Sequence, residues 1–196
     1  MDKDRLLKAI AQKGYDVVFG VKKTFATYDI ANKGPGWIGF ISSAVGVLAL
    51  IFDPLSAKLP SAILVIAGIA SLYLSFYRAD EYEKAANAQL ALYNKLKNLY
   101  LSVQSGMDLG TAKTEYDAIE TAYYSVTVGK QVFLSGWYAH YKLFAESQYD
   151  WMDEQLHFTW RDKWPVTARL TAIVLIVAAV IGLALWGYNS RFCLPR

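Results

Sequence analysis

Few side chains in this sequence could do chemistry. They are His140 and His157, the acidic trio Asp150, Asp153 and Glu154, the single cysteine Cys193, and a glycine triplet at Gly34, Gly36 and Gly39. A metal would need histidines and carboxylates recurring at ligand spacing on one face. Neither histidine stands at such a spacing to the other or to a carboxylate. Both therefore read as surface or bundle residues, and the acidic trio as a solvated helix face. A phosphate cradle places its glycines between a strand and a helix, and no strand precedes Gly34. One cysteine excludes an intrachain disulfide and a cysteine-based metal site. The closing "CLPR" has the wrong last residue for prenylation, which leaves an inert thiol. No nucleophile elbow and no histidine–acid motif of a membrane transferase is present. No enzyme is expected, and no metal or cofactor.

Hydropathy carries the information that reactive groups do not. Gly34–Phe52 ("GPGWIGFISSAVGVLALIF") and Leu59–Tyr77 ("LPSAILVIAGIASLYLSFY") run nineteen residues each without a charge, and Leu170–Ser190 runs twenty-one. At 1.5 Å per residue, nineteen residues make about 29 Å of helix, against a hydrocarbon core of roughly 30 Å. The alternative is a core helix of a soluble protein, but one of this length usually keeps a polar edge. The composition is 55% hydrophobic with a mean hydropathy of +0.20, and its 19% of charged residues gather outside the three runs. A net charge of +3 without a basic face gives no reason to expect direct nucleic-acid binding. "MDKDRLLKAIAQKG" has no apolar stretch directly after its charges, so no cleavable signal peptide is expected.

The elements follow from these runs. "DPLSAKLP" (Asp53–Pro60) allows only a tight turn between the first two, which makes them antiparallel neighbours, and Pro60 suits the first turn of a helix. Lys and Arg are dense over residues 1–33 and again after Tyr77, while the turn holds only Lys58, offset by Asp53. The positive-inside bias places the N-terminus and the middle segment in the cytoplasm, the turn outside and, more weakly, the C-terminus with Cys193 outside. The expected fold is an all-α membrane protein: a transmembrane helical hairpin, a third C-terminal transmembrane helix and a cytoplasmic antiparallel, coiled-coil-like bundle. Its parts are an amphipathic helix over 1–33, the hairpin over 34–77, the bundle over 78–165, the third span over 166–190 and a tail over 191–196. Gly14 and Gly20 predict a break or bend in the first helix, and "NKGPG" (Asn32–Gly36) punctuates the entry into the membrane.

Two sets of spacings mark candidate contacts. In the middle segment Ala85, Gln89, Leu92, Leu96, Leu99 and Val103 alternate by four and three, the seam of a coiled coil. After the turn "SGMDLG", a second helix from Thr111 would carry Ala122, Gly129 and Gly136 every seventh residue, interleaved with Ile119, Val126 and Phe133. The aromatic stretch Tyr138–Trp164 is expected at the membrane surface. In the spans, Ala67, Ser71 and Ser75 recur every fourth residue, Ser42 and Gly46 do the same beside Ser43, and Ala178 and Gly182 do so in the third run. Such stripes permit close helix packing within one protomer, or line an oligomeric pore. No run contains an ionisable residue, which argues against a proton-coupled pump.

From about Tyr15 to Val103 the chain resembles the SLATT domains, two-transmembrane effector domains associated with nucleotide-generating and nucleotide-sensing modules of prokaryotic conflict systems. The likeness lies in the basic helix and first span "FGVKKTFATYDIANKGPGWIGFISSAVGVLAL", the tight hairpin, the second span and the helix "DEYEKAANAQLALYNKLKNLY". The resemblance implies an inner-membrane effector of antiviral, abortive-infection defence that oligomerises and perturbs or permeabilises the bilayer. The trigger would come from a separate sensor protein, a nucleotide-generating enzyme or a reverse-transcriptase complex. The third span is an addition to the family's pattern. The alternative function is a non-conducting membrane scaffold that docks a cytoplasmic partner.

Overall fold

The computed structural model describes residues 2–192, and every regular element among them is helical. Cys193 and the rest of the tail beyond Phe192 lie outside the described residues. The helices are α1 (Lys3–Leu48), α2 (Asp53–Ser56), α3 (Lys58–Ser75), α4 (Ala79–Gln104), α5 (Leu109–Ser125), α6 (Ser135–Glu146), α7 (Asp150–Leu156) and α8 (Val166–Phe192). They form two compact units, residues 1–157 and residues 158–196.

In the first unit α1 is the axis on which the other helices pack. Asp2 caps it by accepting a hydrogen bond from the Arg5 amide at 2.8 Å. Its buried residues, Leu6, Leu7, Ile10, Gly14, Val17, Val18, Val21 and Thr24 among them, step by three and four along one face. That face meets α4 running antiparallel: Lys3 Nζ donates to the Gln104 carbonyl near one end, and Ala31 packs with Tyr82 near the other. Helix α5 folds back on α4, and α6 and α7 also pack on α1. The turn into α5 uses Gly106 at φ +99, a left-handed conformation that favours glycine, and Asp108 caps α5 by accepting from the Thr111 amide.

Three expectations change here. No break occurs at Gly14, Gly20 or Asn32–Gly36: α1 passes unbroken through all of them with Pro35 inside it. Gly14 and Gly20 are contact points instead. A Cβ on Gly14 would stand 2.4 Å from the Trp151 ring, and one on Gly20 would stand 2.4 Å from the Tyr123 hydroxyl. The second change is in the region after Thr111. Helix α5 ends at Ser125 and α6 starts at Ser135, so Ala122, Gly129 and Gly136 share no helix and form no seam. Gly129 lies exposed in the connection, which is tied down by hydrogen bonds from other helices. Third, the aromatic stretch is not all surface: Trp151 is buried, and its indole N–H donates to the Tyr93 hydroxyl at 3.1 Å.

Among the described residues two helices are long and apolar enough to cross a membrane. They are α3, with mean hydropathy 1.6, and the Val166–Leu183 part of α8, with 2.4; in α3 Leu74 alone is buried, and the α8 window has no buried residue. Helix α1 carries the first apolar run only from Gly34 to Leu48, fifteen residues, which make about 22 Å of helix. Residues 49–52 turn, and α2, with Pro54 near its start, leads into α3, which packs back on α1. The second unit consists of α8 and a turn before it, in which the Thr159 amide and hydroxyl both donate to Asp162.

Candidate functional site

The candidate site is the place where the helical bundle meets the apolar hairpin. Three helices, the α3–α4 link and the segment between α5 and α6 converge there. Ala31 of α1, Leu74 at the end of α3, Tyr77 in the link, Tyr82 of α4 and Val132 form one buried cluster, with Tyr28, Ile38, Ala79 and Val128 packed around it. Close approach requires Gly34, where a Cβ would come within 2.8 Å of Leu74 Cδ1. The link from α3 to α4 is three residues, Phe76–Arg78, and its middle residue is in the cluster.

Polar contacts fasten the segment between α5 and α6 onto this cluster. Gln89 is 1% exposed on α4; its amide donates to the Val126 carbonyl at 2.9 Å and its oxygen accepts from Thr24 at 3.2 Å. The Thr27 hydroxyl donates to the Gln131 side chain and accepts from the Val132 amide at 3.3 Å. The Tyr82 hydroxyl donates to the Lys130 carbonyl at 2.7 Å, and the Lys130 ammonium lies 4.7 Å from the centre of the Tyr77 ring. Tyr77 itself pairs with the Tyr73 hydroxyl at 2.7 Å. Residues 126–132 are thus a strap bound to α1, to α4 and to the α3–α4 link.

One ion cluster stands beside it. Asp29 accepts from Lys33 at 2.7 Å and from Lys142 of α6 at 2.9 Å. Burial pushes the Asp29 carboxyl up, but the two lysine hydrogen bonds outweigh that and hold it below the ordinary carboxylate range. Further along α1, burial disfavours the Lys13 ammonium, yet Glu120 and Tyr124 of α5 hold it above its usual value. A cleft of about 400 Å³ lies between these, lined by Lys22, Tyr93, Asn94, Lys97, Glu146 and Gln148. Burial and the nearby Lys142 lower the Lys22 ammonium, and Glu146 in the same cleft opposes them.

The residues singled out by spacing separate into groups. Leu92, Leu96 and Leu99 are buried on α4. The buried row there is wider than the expected seam, because Tyr82, Ala86, Tyr93 and Tyr100 belong to it. Their own four-and-three spacing through Gln89, Leu96 and Val103 was the signal that could have found them. In the hairpin Ala67, Ser71 and Ser42 are half-buried, whereas Ser43, Gly46 and Ser75 are exposed. The Ser75 hydroxyl turns back to the Leu72 carbonyl at 2.7 Å. Ala178 and Gly182 are exposed on α8.

The reactive types are dispersed. His140 is buried on α6 with its ring 4.9 Å from that of Phe144, and His157 terminates α7 at φ 50. Glu154 accepts from Tyr100 at 2.9 Å and Gln104 at 3.0 Å, so it ties α7 to α4. Among the described residues no group of histidine, cysteine and carboxylate side chains could hold a metal.

An apolar helical hairpin rooted in a helical bundle is the arrangement expected of a two-transmembrane effector domain, and residues 1–172 match the family described as SMODS and SLOG-associating 2TM effector domain 6. The chain belongs to that family. The match takes in all of the first unit and ends in the second turn of α8. No curated protein and no solved structure matches the chain. The family is one of two-transmembrane effector domains associated with SMODS and SLOG defence modules, and the two apolar helices agree with a membrane protein.

Proposed function

We propose that this 2TM effector domain acts in prokaryotic antiviral defence by permeabilising the inner membrane when a partner protein or nucleotide signal reaches its bundle. In this reading the bundle and N-terminus are cytoplasmic, the α1–α3 hairpin crosses the bilayer, α8 adds a further span, and several copies assemble. One observation supports it above the others. Helix α1 runs without a break from the bundle into the apolar segment, and α3 joins α4 through three residues whose middle one is buried in the bundle. A rotation or shift of the bundle is therefore carried mechanically into both arms of the hairpin, since neither connection contains a flexible linker.

A second reading, a non-conducting scaffold that docks a cytoplasmic partner, draws support from the half-burial of Ala67, Ser71 and Ser42. These small residues are already used in packing within one protomer. Release of a fluorescent dye from vesicles containing the purified chain, together with the membrane potential of cells expressing it with and without its neighbouring defence genes, separates the two. Leakage and depolarisation are expected. An intact potential and tight vesicles under both conditions would leave only the scaffold.

A further inference from the structure

The strap that locks the bundle to the hairpin ends in an exposed apolar corner. Phe133 is 79% exposed, Leu134 46% and, one turn into α6, Trp137 36%; Tyr141, a further turn along the same face, is 59% exposed. Leu134 also sits at φ 68, in the left-handed region that a branched, bulky residue rarely occupies. A glycine would satisfy that backbone without strain. A leucine there places a large apolar side chain at the surface, where burial within the chain does not explain it.

The neighbouring residues set the level of this corner. Val132, one residue before Phe133, is buried with Leu74 and Tyr77, where the apolar surface of α3 ends, and Ile38 of α1 packs against the same cluster. The preceding Lys130 is held by Tyr82, with its ammonium over the Tyr77 ring. Arg78 follows Tyr77, and Lys33 precedes the glycine that touches Leu74. Phe133 and Leu134, one and two residues beyond Val132, therefore lie at the level of the hairpin's base, where Lys33, Arg78 and Lys130 also stand next in sequence to residues at that junction. Aromatic and apolar groups next to lysine and arginine are the composition that settles at the boundary between headgroups and acyl chains.

We propose that Phe133, Leu134 and Trp137 form a lipid-inserting wedge that enters the same leaflet as the base of the hairpin. The inference rests on the reading that α3 crosses the bilayer. The wedge makes the strap a three-way joint: lipid holds its outer end, while Thr27, Gln89 and Tyr82 hold the rest to the bundle. A movement of α1 against α4 must then either drag the wedge through the interface or release the strap.

The test uses the full chain in vesicles of phosphatidylcholine and phosphatidylglycerol, with Cys193→Ser and single nitroxide-labelled cysteines. Depth is read from the relative accessibility of the label to oxygen and to a water-soluble nickel complex. Ile66→Cys in the middle of α3 reports whether the hairpin spans, and Thr121→Cys, exposed on α5, gives the aqueous limit. Phe133→Cys and Trp137→Cys are expected at a shallow bilayer depth, with nickel accessibility at least about threefold below that of the Thr121 site. A deep Ile66 site with aqueous Phe133 and Trp137 sites would overturn the wedge and leave the hairpin standing. An aqueous Ile66 site would overturn both.

Discussion

Gly14 offers the sharpest check on how the bundle is built. In the interior of a helix, Gly→Ala alone stabilises by about 1 kcal/mol. Here the added Cβ would sit 2.4 Å from Trp151 Cη2 and 3.0 Å from Cζ2, where ordinary contact begins at 3.4 Å. The ring must retreat by about 1 Å, yet its centre is already 5.9 Å from that of Tyr93 and 5.1 Å from that of Tyr100. Overpacking of this kind costs about 1–3 kcal/mol, and the Trp151–Tyr93 hydrogen bond adds about 1 kcal/mol if it breaks. Set against the gain in helix propensity, Gly14→Ala should destabilise by about 1–2 kcal/mol, lowering Tm by roughly 2–8 °C in a chain of this size. Far-UV circular dichroism in detergent measures it. In a Trp151→Leu background the obstacle is gone, and the same substitution should raise Tm instead. A Gly14→Ala chain that melts higher than the parent would refute the argument, because it would mean that glycine merely weakens α1.

Three further outcomes follow from the junction. Gln89→Leu leaves the Val126 carbonyl without its donor, at about 1–3 kcal/mol, and should speed amide exchange across residues 126–132 well before it affects the core of α1. Asp29 binds its proton less tightly folded than unfolded, so its contribution is complete above the unfolded carboxylate value of about 4 and fades as pH falls through the lower folded value. Asp29→Asn should therefore cost about 1.5 kcal/mol near neutrality, in line with charged hydrogen bonds, and the gap in Tm between variant and parent should close on acidification. Ser71→Leu overfills the half-buried α1–α3 contact; an effect of about 1.4 kcal/mol on the open state is roughly tenfold, and vesicle leakage should drop by about that factor while leakage from Ser75→Leu, altered at an exposed site, changes less.

The all-helical architecture and the apolar character of α3 and α8 were legible in the sequence, whereas the turn expected at Asp53–Pro60 begins earlier, at residues 49–52, and holds the short helix α2. The legible features are set by local physics: run length and the absence of charge. The row on α4 was half legible, since the leucines declared themselves by type, whereas Tyr82, Tyr93 and Tyr100 carry the same spacing on residues that are as often exposed. Glycine was misread in both directions. Gly14 and Gly20 looked like breaks and are contacts made with Trp151 and Tyr123, about 137 and 103 residues away along the chain. Gly129 and Gly136 looked like contacts, yet no atom outside their immediate surroundings lies within 4 Å of where a Cβ would be. The strap was invisible for the same reason. Nothing in "VTVGKQV" shows that Gln89, Thr27 and Tyr82 will supply its hydrogen bonds. Periodicity reports the shape a segment can take by itself, but whether a glycine is a weakness or a fit, and whether a loop is loose or fastened, depends on which side chain arrives from across the fold.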